Sequence, residues 1–271
     1  MSDPTPSRIK LTVAYDGEPF CGWQSQPGGK AVQDAIEKAI HAITNTTVRI
    51  HGSGRTDTGV HAEGQVAHFD PPLTSTLDQQ AWLRAINSHL PHRIRIIQSE
   101  AVDSDFHARY SAIGKYYRYR IIEAPVLPPQ EVARAWHQFR KLDHTLMRSA
   151  CDQLTGEHDF SAFCANRSDG TDRDPGSGGN VRTIESIKLD TERLSEDQTA
   201  ITLHFRGSGF LYRMVRMLTG AIVRCGQRKL TLTELQQLLD SPRHHAAGES
   251  LKKSPLCAPA DGLTLAQVFY P

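Results

Sequence analysis

The sequence predicts an α+β protein of two similar halves, each a mainly antiparallel sheet backed by helices. Three observations lead there. Strand-period and helix-period segments alternate along the chain, their order repeats loosely after a Pro-rich stretch at 123–130, and 271 residues exceed the usual domain of about 100–200. The expected halves are residues 1–122 and 123–271, with a cleft between them. No residue-level repeat is visible, so this symmetry rests on element order alone.

Ile9, Leu11, Val13 and Tyr15 alternate with Lys10, Thr12 and Ala14, the pattern of a strand with one buried face, and Asp16-Gly17 ends it. Val32, Ile36, Ala39, Ile40 and Ile43 recur at helical spacing and predict an amphipathic helix. Residues 65–69 and 93–102 read as strands; between them Trp82, Ala85, Ile86 and His89 share a helix face that Pro91 stops. The next strand is 116–122. Prolines at 125, 128 and 129 cannot donate to a sheet ladder and mark a crossover. In the second half, Leu142, Leu146, Ala150 and Leu154 predict a helix closed by Gly156. Residues 181–190 and 200–206 predict two strands around an acidic turn, and 210–225 predicts a long helix. The Gly-, Ser-, Asp- and Pro-rich stretch 168–180 predicts a mobile loop.

Composition narrows the class. A hydrophobic fraction of 38% and a charged fraction of 23% are those of a globular protein and not of a disordered chain. The longest apolar-looking run, 210–225, is broken by Arg213, Arg216 and Arg224, and the first ten residues carry no apolar leader, so neither a membrane span nor an export signal is expected. Five scattered cysteines with no CxxC pair suggest neither a disulfide framework nor a zinc ribbon, and fit a reducing cytoplasm. Thirty-one Lys plus Arg against thirty Asp plus Glu leave +1, so any surface for a polyanion must come from local segregation of charge. Such segregation is visible: Arg109, Lys115, Arg118 and Arg120 interleave with Tyr110, Tyr116, Tyr117 and Tyr119, a mixture that suits RNA phosphates and unstacked bases. Arg213, Arg216, Arg224, Arg228 and Lys229 form a second group, and the acidic segment 185–197 offsets both in the total.

The densest cluster of unusual residues is His51-Gly52-Ser53-Gly54-Arg55-Thr56-Asp57-Thr58-Gly59-Val60-His61-Ala62. Three glycines in eight residues make a tight loop in which backbone approaches closely. It has neither the GK[ST] ending of a P-loop nor the G-x-G-x-x-G spacing of a dinucleotide site. What remains is a carboxylate on a Gly-rich turn. Asp57 there either makes an Asx-turn or serves as a nucleophilic or general-base carboxylate, and the loop alone leaves both open. His51, His61 and His68 lie nearby, but no H-E-x-x-H or CxxC pattern accompanies them, so no metal is expected.

GRTDTGVHA at 54–62 resembles the GRTDxGVHA motif of the TruA family of tRNA pseudouridine synthases, and further motifs follow in order. AYDGEPFCGWQ at 14–24, AINSHLPHRIRI at 85–96, FHARYSAIGKYYRYRI at 106–121, VRTI at 181–184 and GFLYRMVRMLTG at 209–220 are similar to the rest of that family's pattern. The resemblance implies the pseudouridine synthase fold. It also implies a cofactor-free isomerase that converts uridine to pseudouridine at positions 38, 39 and 40 in the anticodon stem-loop of tRNA, working as a homodimer in the cytoplasm.

Carried over residue by residue, the catalytic aspartate is Asp57. Arg55 holds a flipped nucleotide's phosphate or fills its vacated space, and Tyr117 meets the target base. Tyr116 is its rival by adjacency, but neighbours on a strand face opposite ways, so only one of them can reach the site; Tyr119 shares the Tyr117 face. Arg216, on the predicted 210–225 helix, is the partner that keeps Asp57 ionised, the alternative being a solvated arginine. A catalytically inactive tRNA-binding module of the same fold is the rival function, and a metal-dependent Asp hydrolase a more distant one. Thr58 departs from the alanine common in the family motif.

Overall fold

The computed structural model describes residues 8–165, 179–240 and 256–271. The predicted loop at 168–180 falls almost wholly outside them. The chain gathers into two compact units, one running to Ile113 and taking in Thr264–Pro271, the other Gly114–Leu263.

The first unit is a mainly antiparallel sheet with two helices. Its strands are β1 (Arg8–Tyr15), β2 (His51–Gly52), β3 (His61–Phe69), β4 (Ile94–Val102) and the C-terminal β10 (Leu263–Phe269); its helices are α1 (Val32–Thr44) and α2 (Gln79–His89). The order is β4-β1-β3-β10, with β2 beside β3. Strict alternation in β1 buries Ile9, Leu11, Val13 and Tyr15, and register sets Ile9 opposite Phe69 and Leu11 opposite Ala67. Phe69 meets Trp82 of α2 edge-on at 5.1 Å, and both are fully buried. Asp78 caps α2 by accepting the Ala81 N–H at 2.7 Å. Asn45, in the left-handed conformation at φ 51°, ends α1.

The pairing of β1 with β3 shifts register between Val13 and Tyr15, where Gln65 and Ala62 are the partners and β3 holds an extra residue. Gly64 lies in that irregularity. A Cβ on it would stand 2.4 Å from the Ala266 carbonyl oxygen of β10, which runs parallel to β3. Residues 264–271 therefore belong with the first strands of the chain, an attachment the local pattern of the sequence does not reveal.

The second unit has the strands β5 (Gly114–Glu123), β6 (Trp136–Gln138), β7 (Gly156–Asp159), β8 (Val181–Arg193) and β9 (Thr199–Gly207), in the order β5-β9-β8-β7 with β6 paired to β5. Its helices are α3 (His144–Leu154), α4 (Met214–Gly226) and α5 (Leu232–Asp240). Tyr117, Tyr119 and Ile121 of β5 register with Phe205, Leu203 and Ile201 of β9, and all six are buried. Asp143 caps α3 through the Leu146 N–H, and the buried Glu123 accepts the Leu142 N–H at 2.6 Å just before it. Every residue of α4 is buried except Arg216 and Arg224, the pattern of a helix wrapped on all sides. It starts at Met214 and not at Phe210: Arg213 is left-handed at φ 59°, which an α-helix cannot continue through, so 210–213 is an irregular lead-in.

Gly64→Ala should lower stability by about 1–3 kcal/mol, since its methyl group has only the β10 backbone to displace. Thermal unfolding measures this; an unchanged midpoint would mean that β10 does not dock as described.

Candidate active site

Asp57 sits in the connection from β2 to β3, and the chain around it is immobilised by backbone bonds. The Val60 N–H donates to the Asp57 carbonyl at 3.1 Å, closing a β-turn whose third residue, Gly59, has φ 82°, the conformation glycine supplies without strain. At the start of the connection, Ser53 N–H donates to the Val66 carbonyl at 2.7 Å, while the buried Gln65 takes the Ser53 hydroxyl at 2.7 Å and gives its amide to the Gly54 carbonyl at 2.9 Å. Gln65 is fully buried, so these bonds are its desolvation compensation.

The other wall of the loop is residues 15–24. Trp23 N–H donates to the Thr56 carbonyl at 3.2 Å, and the Tyr15 hydroxyl is 2.8 Å from Thr56 Oγ1. Gly17 N–H donates to His61 Nδ1 at 3.1 Å, on a ring that also lies 3.3 Å from an Asp16 carboxylate oxygen. Two glycines allow this closeness. A Cβ on Gly17 would be 2.0 Å from the Val60 carbonyl oxygen, and one on Gly22, at φ 85°, would be 2.5 Å from the Thr56 carbonyl oxygen. Thr56 is thus held on both its carbonyl and its hydroxyl, and the next residue, half-buried Asp57, inherits a fixed direction. Arg55, on the other side of Thr56, is exposed.

Tyr117 and Arg216 belong to the second unit. Tyr117 is 9% exposed and meets Phe210 edge-to-face at 5.2 Å. Tyr119, on the same strand face, is fully buried and donates its hydroxyl to the Pro259 carbonyl at 2.8 Å, while burial pushes its phenol well above the usual range. Tyr116 faces the opposite way, with its hydroxyl 2.5 Å from His204 Nδ1. The alternation separating Tyr116 from Tyr117 is therefore present. Arg216 is half-buried on α4, and its Nε donates to the Ala258 carbonyl at 2.8 Å, so a backbone oxygen of the second unit orients the guanidinium.

Beside the loop lies a ring cluster. His51 and His68, directly opposite on β2 and β3, stack with centroids 5.1 Å apart, and His107 stands 4.7 Å from His68. His68 Nδ1 accepts the Ala108 N–H at 3.1 Å, which holds residues 106–111 against β3 and requires the ring to be unprotonated there. Burial is the main cause that lowers the His68 pKa to about 4, with Arg8 and the two neighbouring histidines adding to it. Among the described residues, no three His, Cys, Asp or Glu side chains are grouped so as to hold a metal ion, and no helix is long and apolar enough to cross a membrane. In the second unit, burial raises the thiol of Cys151 to about 12 and that of Cys225 to about 11.

A family model described as tRNA pseudouridine synthase matches residues 11–111 and 150–271. This chain belongs to that family. Relatives named tRNA pseudouridine synthase A include one from Akkermansia muciniphila, 44% identical over 98% of this chain and 96% of its own length. Another, from Maridesulfovibrio salexigens, is 42% identical over 97% and 90%, and one from Bacillus subtilis is 38% identical over 97% and 99%. A solved Cbf5-Nop10-Gar1 complex aligns with 80% of this chain and 44% of its own at 11% identity, but its TM-score of 0.30 is too low to inform the fold.

Within this synthase family chain, the stretch 14–24 holds no side chain that sequence reasoning assigns to chemistry. The structure makes it the cradle of the Asp57 loop, with Gly17, Gly22 and Trp23 as its working parts. Gln65, likewise unassigned, is the buried hub of the loop's other leg. A signal existed in the glycines of YDGEPFCGW, but which backbone they admit is decided only by the fold.

Gly22→Ala should lower the unfolding temperature and speed hydrogen exchange at the Trp23 amide, because the new methyl must push the Thr56 carbonyl away. Normal exchange at Trp23 would contradict the cradle. Acid sensitivity supplies a second check. His68 is depressed from about 6.5 unfolded to about 4 folded, so its contribution to stability is complete above about pH 6.5 and drains away as pH falls toward 4. His68→Asn, which offers an acceptor but does not titrate in this window, should flatten that part of the stability–pH curve, as read by urea unfolding at pH 7.5, 6, 5 and 4.

Proposed function

We propose that this chain isomerises uridine to pseudouridine in tRNA, at positions 38, 39 and 40 of the anticodon stem-loop, with Asp57 as the catalytic residue. The observation that carries this reading is the pinned Asp57 turn: a half-buried carboxylate whose backbone is fixed from both sides, in a chain of the tRNA pseudouridine synthase family. The reaction breaks the bond between uracil N1 and ribose C1′, turns the base and joins C5 to C1′. N1 gains a proton and C5 loses one, so no electrons enter or leave and no cofactor is needed. Asp57 either attacks C1′ or takes the proton from C2′, and both routes require an ionised carboxylate held in one direction. Immobilisation of Thr56 supplies that direction.

Arg55, exposed beside the carboxylate, is the proposed contact to the flipped nucleotide's phosphate, and Tyr117 the proposed contact to the base. Arg216 is the proposed positioning residue for the Asp57 carboxylate. We place the enzyme in the cytoplasm as a homodimer that one tRNA touches on both subunits. Retention of Arg55, Asp57, Tyr117 and Arg216 together speaks against an inactive tRNA-binding module.

Asp57→Asn should abolish pseudouridine formation while leaving tRNA affinity within a few-fold, since it removes the reactive oxygen and little phosphate contact; mapping pseudouridines in treated tRNA decides the matter. Substantial residual turnover would overturn the assignment. Affinity itself should fall with salt by a log–log slope of about 0.9 per neutralised phosphate on paired regions, despite the net charge of only +1.

Arg216→Met should act through Asp57. A side chain of similar length keeps the packing of α4, but the carboxylate loses the cation proposed to orient it, so the single-turnover rate at saturating tRNA should fall while the unfolding temperature holds. A stable variant that turns over at the wild-type rate would return Arg216 to a structural role.

A further inference from the structure

The loop 106–111 presents rings outward for no reason that packing supplies. Tyr110 is 70% exposed, yet its backbone is rigid. The His107 N–H donates to Ser111 Oγ at 3.0 Å, the Ser111 N–H returns to the His107 carbonyl at 2.9 Å, and the Tyr270 hydroxyl donates to the Ala108 carbonyl at 2.6 Å. His107 Nδ1 accepts the N–H groups of both Arg109 and Tyr110, at 3.1 and 3.3 Å. Accepting them keeps this imidazole neutral, and burial lowers its pKa in the same sense.

The rings run in one continuous row. Buried His68 stacks on exposed His51, His107 lies against both at 4.7 and 5.8 Å, and Tyr110 lies 4.3 Å from His107 with the planes 34° apart. The Arg109 guanidinium carbon stands 5.7 Å from the Tyr110 centroid. The outer end of the row therefore joins flat, neutral ring faces to one cation. Phosphate alone would be better served by free charges; neutral rings beside an arginine suit a flat, electron-rich partner. Position adds to this, since His51 begins the β2 segment that leads, six residues later, to Asp57.

We infer that Tyr110, with His51, His107 and Arg109, forms a stacking platform for an unpaired RNA base next to the nucleotide held by the Asp57 loop. The inference rests on the proposed action on tRNA and adds a second base-binding place to it. The platform is preorganised, so little ordering of the protein opposes stacking.

The test compares wild type with Tyr110→Ala, Tyr110→Trp and His51→Ala, using an anticodon-arm RNA and an RNA duplex of equal length without unpaired bases. Tyr110→Ala should weaken arm binding about tenfold, the range of a lost base–ring stack. Tyr110→Trp should restore it, and His51→Ala should weaken it less. The salt slope and duplex affinity should stay unchanged, and the single-turnover rate at saturating RNA should match wild type, so the loss appears in KM and not in kcat. Thermal unfolding of each variant checks the fold. Equal arm affinity for wild type and Tyr110→Ala, or an equal loss on the duplex, overturns the platform while leaving the isomerase reading intact. Wild-type protein that forms no pseudouridine in tRNA overturns the isomerase reading itself.

Discussion

The structure around Asp57 depends on a close backbone approach. Gly17 and Gly22 let residues 15–24 lie against 56–60 at distances no Cβ would permit, and the bonds of Thr56 to Trp23 and Tyr15 follow from that contact. A carboxylate on a surface turn ordinarily samples several directions, and holding it to one is entropically unfavourable. Here that ordering is provided by folding, before any substrate arrives. This is the sense in which a stretch without catalytic side chains belongs to the site.

Burial explains the chemistry of the groups around it. His68 serves as an acceptor for a backbone N–H because desolvation keeps it neutral; a protonated ring would leave the Ala108 N–H facing a second donor. Loop 106–111 is thereby tied to β3, and the Arg8 side chain ties it again by donating to the Phe106 carbonyl at 2.7 Å while making a two-pronged pair with Asp70 at 2.7 and 2.9 Å. The Arg8 hydrogen bonds hold Asp70 below the usual carboxylate range. Three of the thirteen histidines meet at this place as a ring cluster, with backbone donors on two of the rings.

In the second unit the organising element is α4, which is buried apart from two arginines. Gly220 lets the Leu256 backbone lie against it, and Gly226 lets Met147 of α3 do so. A helix enclosed in this way has little freedom to rotate, so the place where Arg216 leaves it is fixed by packing. The same packing explains Tyr119, which is core and not site: its hydroxyl is consumed by a backbone carbonyl.

Local pattern alone determined much of this. Alternation at 9–15 and 116–122 and helical spacing at 32–43 and 82–89 match elements within a few residues, because period-2 and period-3.6 burial is a property of each segment. Asp57 stood out by its glycines, and resemblance supplied its chemistry. The start of α4 was not legible, since the left-handed turn at Arg213 is a non-glycine conformation that composition does not signal. Nor was the return of 264–271 to β3, the role of Gln65, or the fit of Gly17 and Gly22 to their particular carbonyls. Each of these pairs residues far apart in the chain. A residue's sequence neighbourhood encodes which conformations it tolerates, but which distant backbone occupies the space beside it is decided only when the tertiary structure closes.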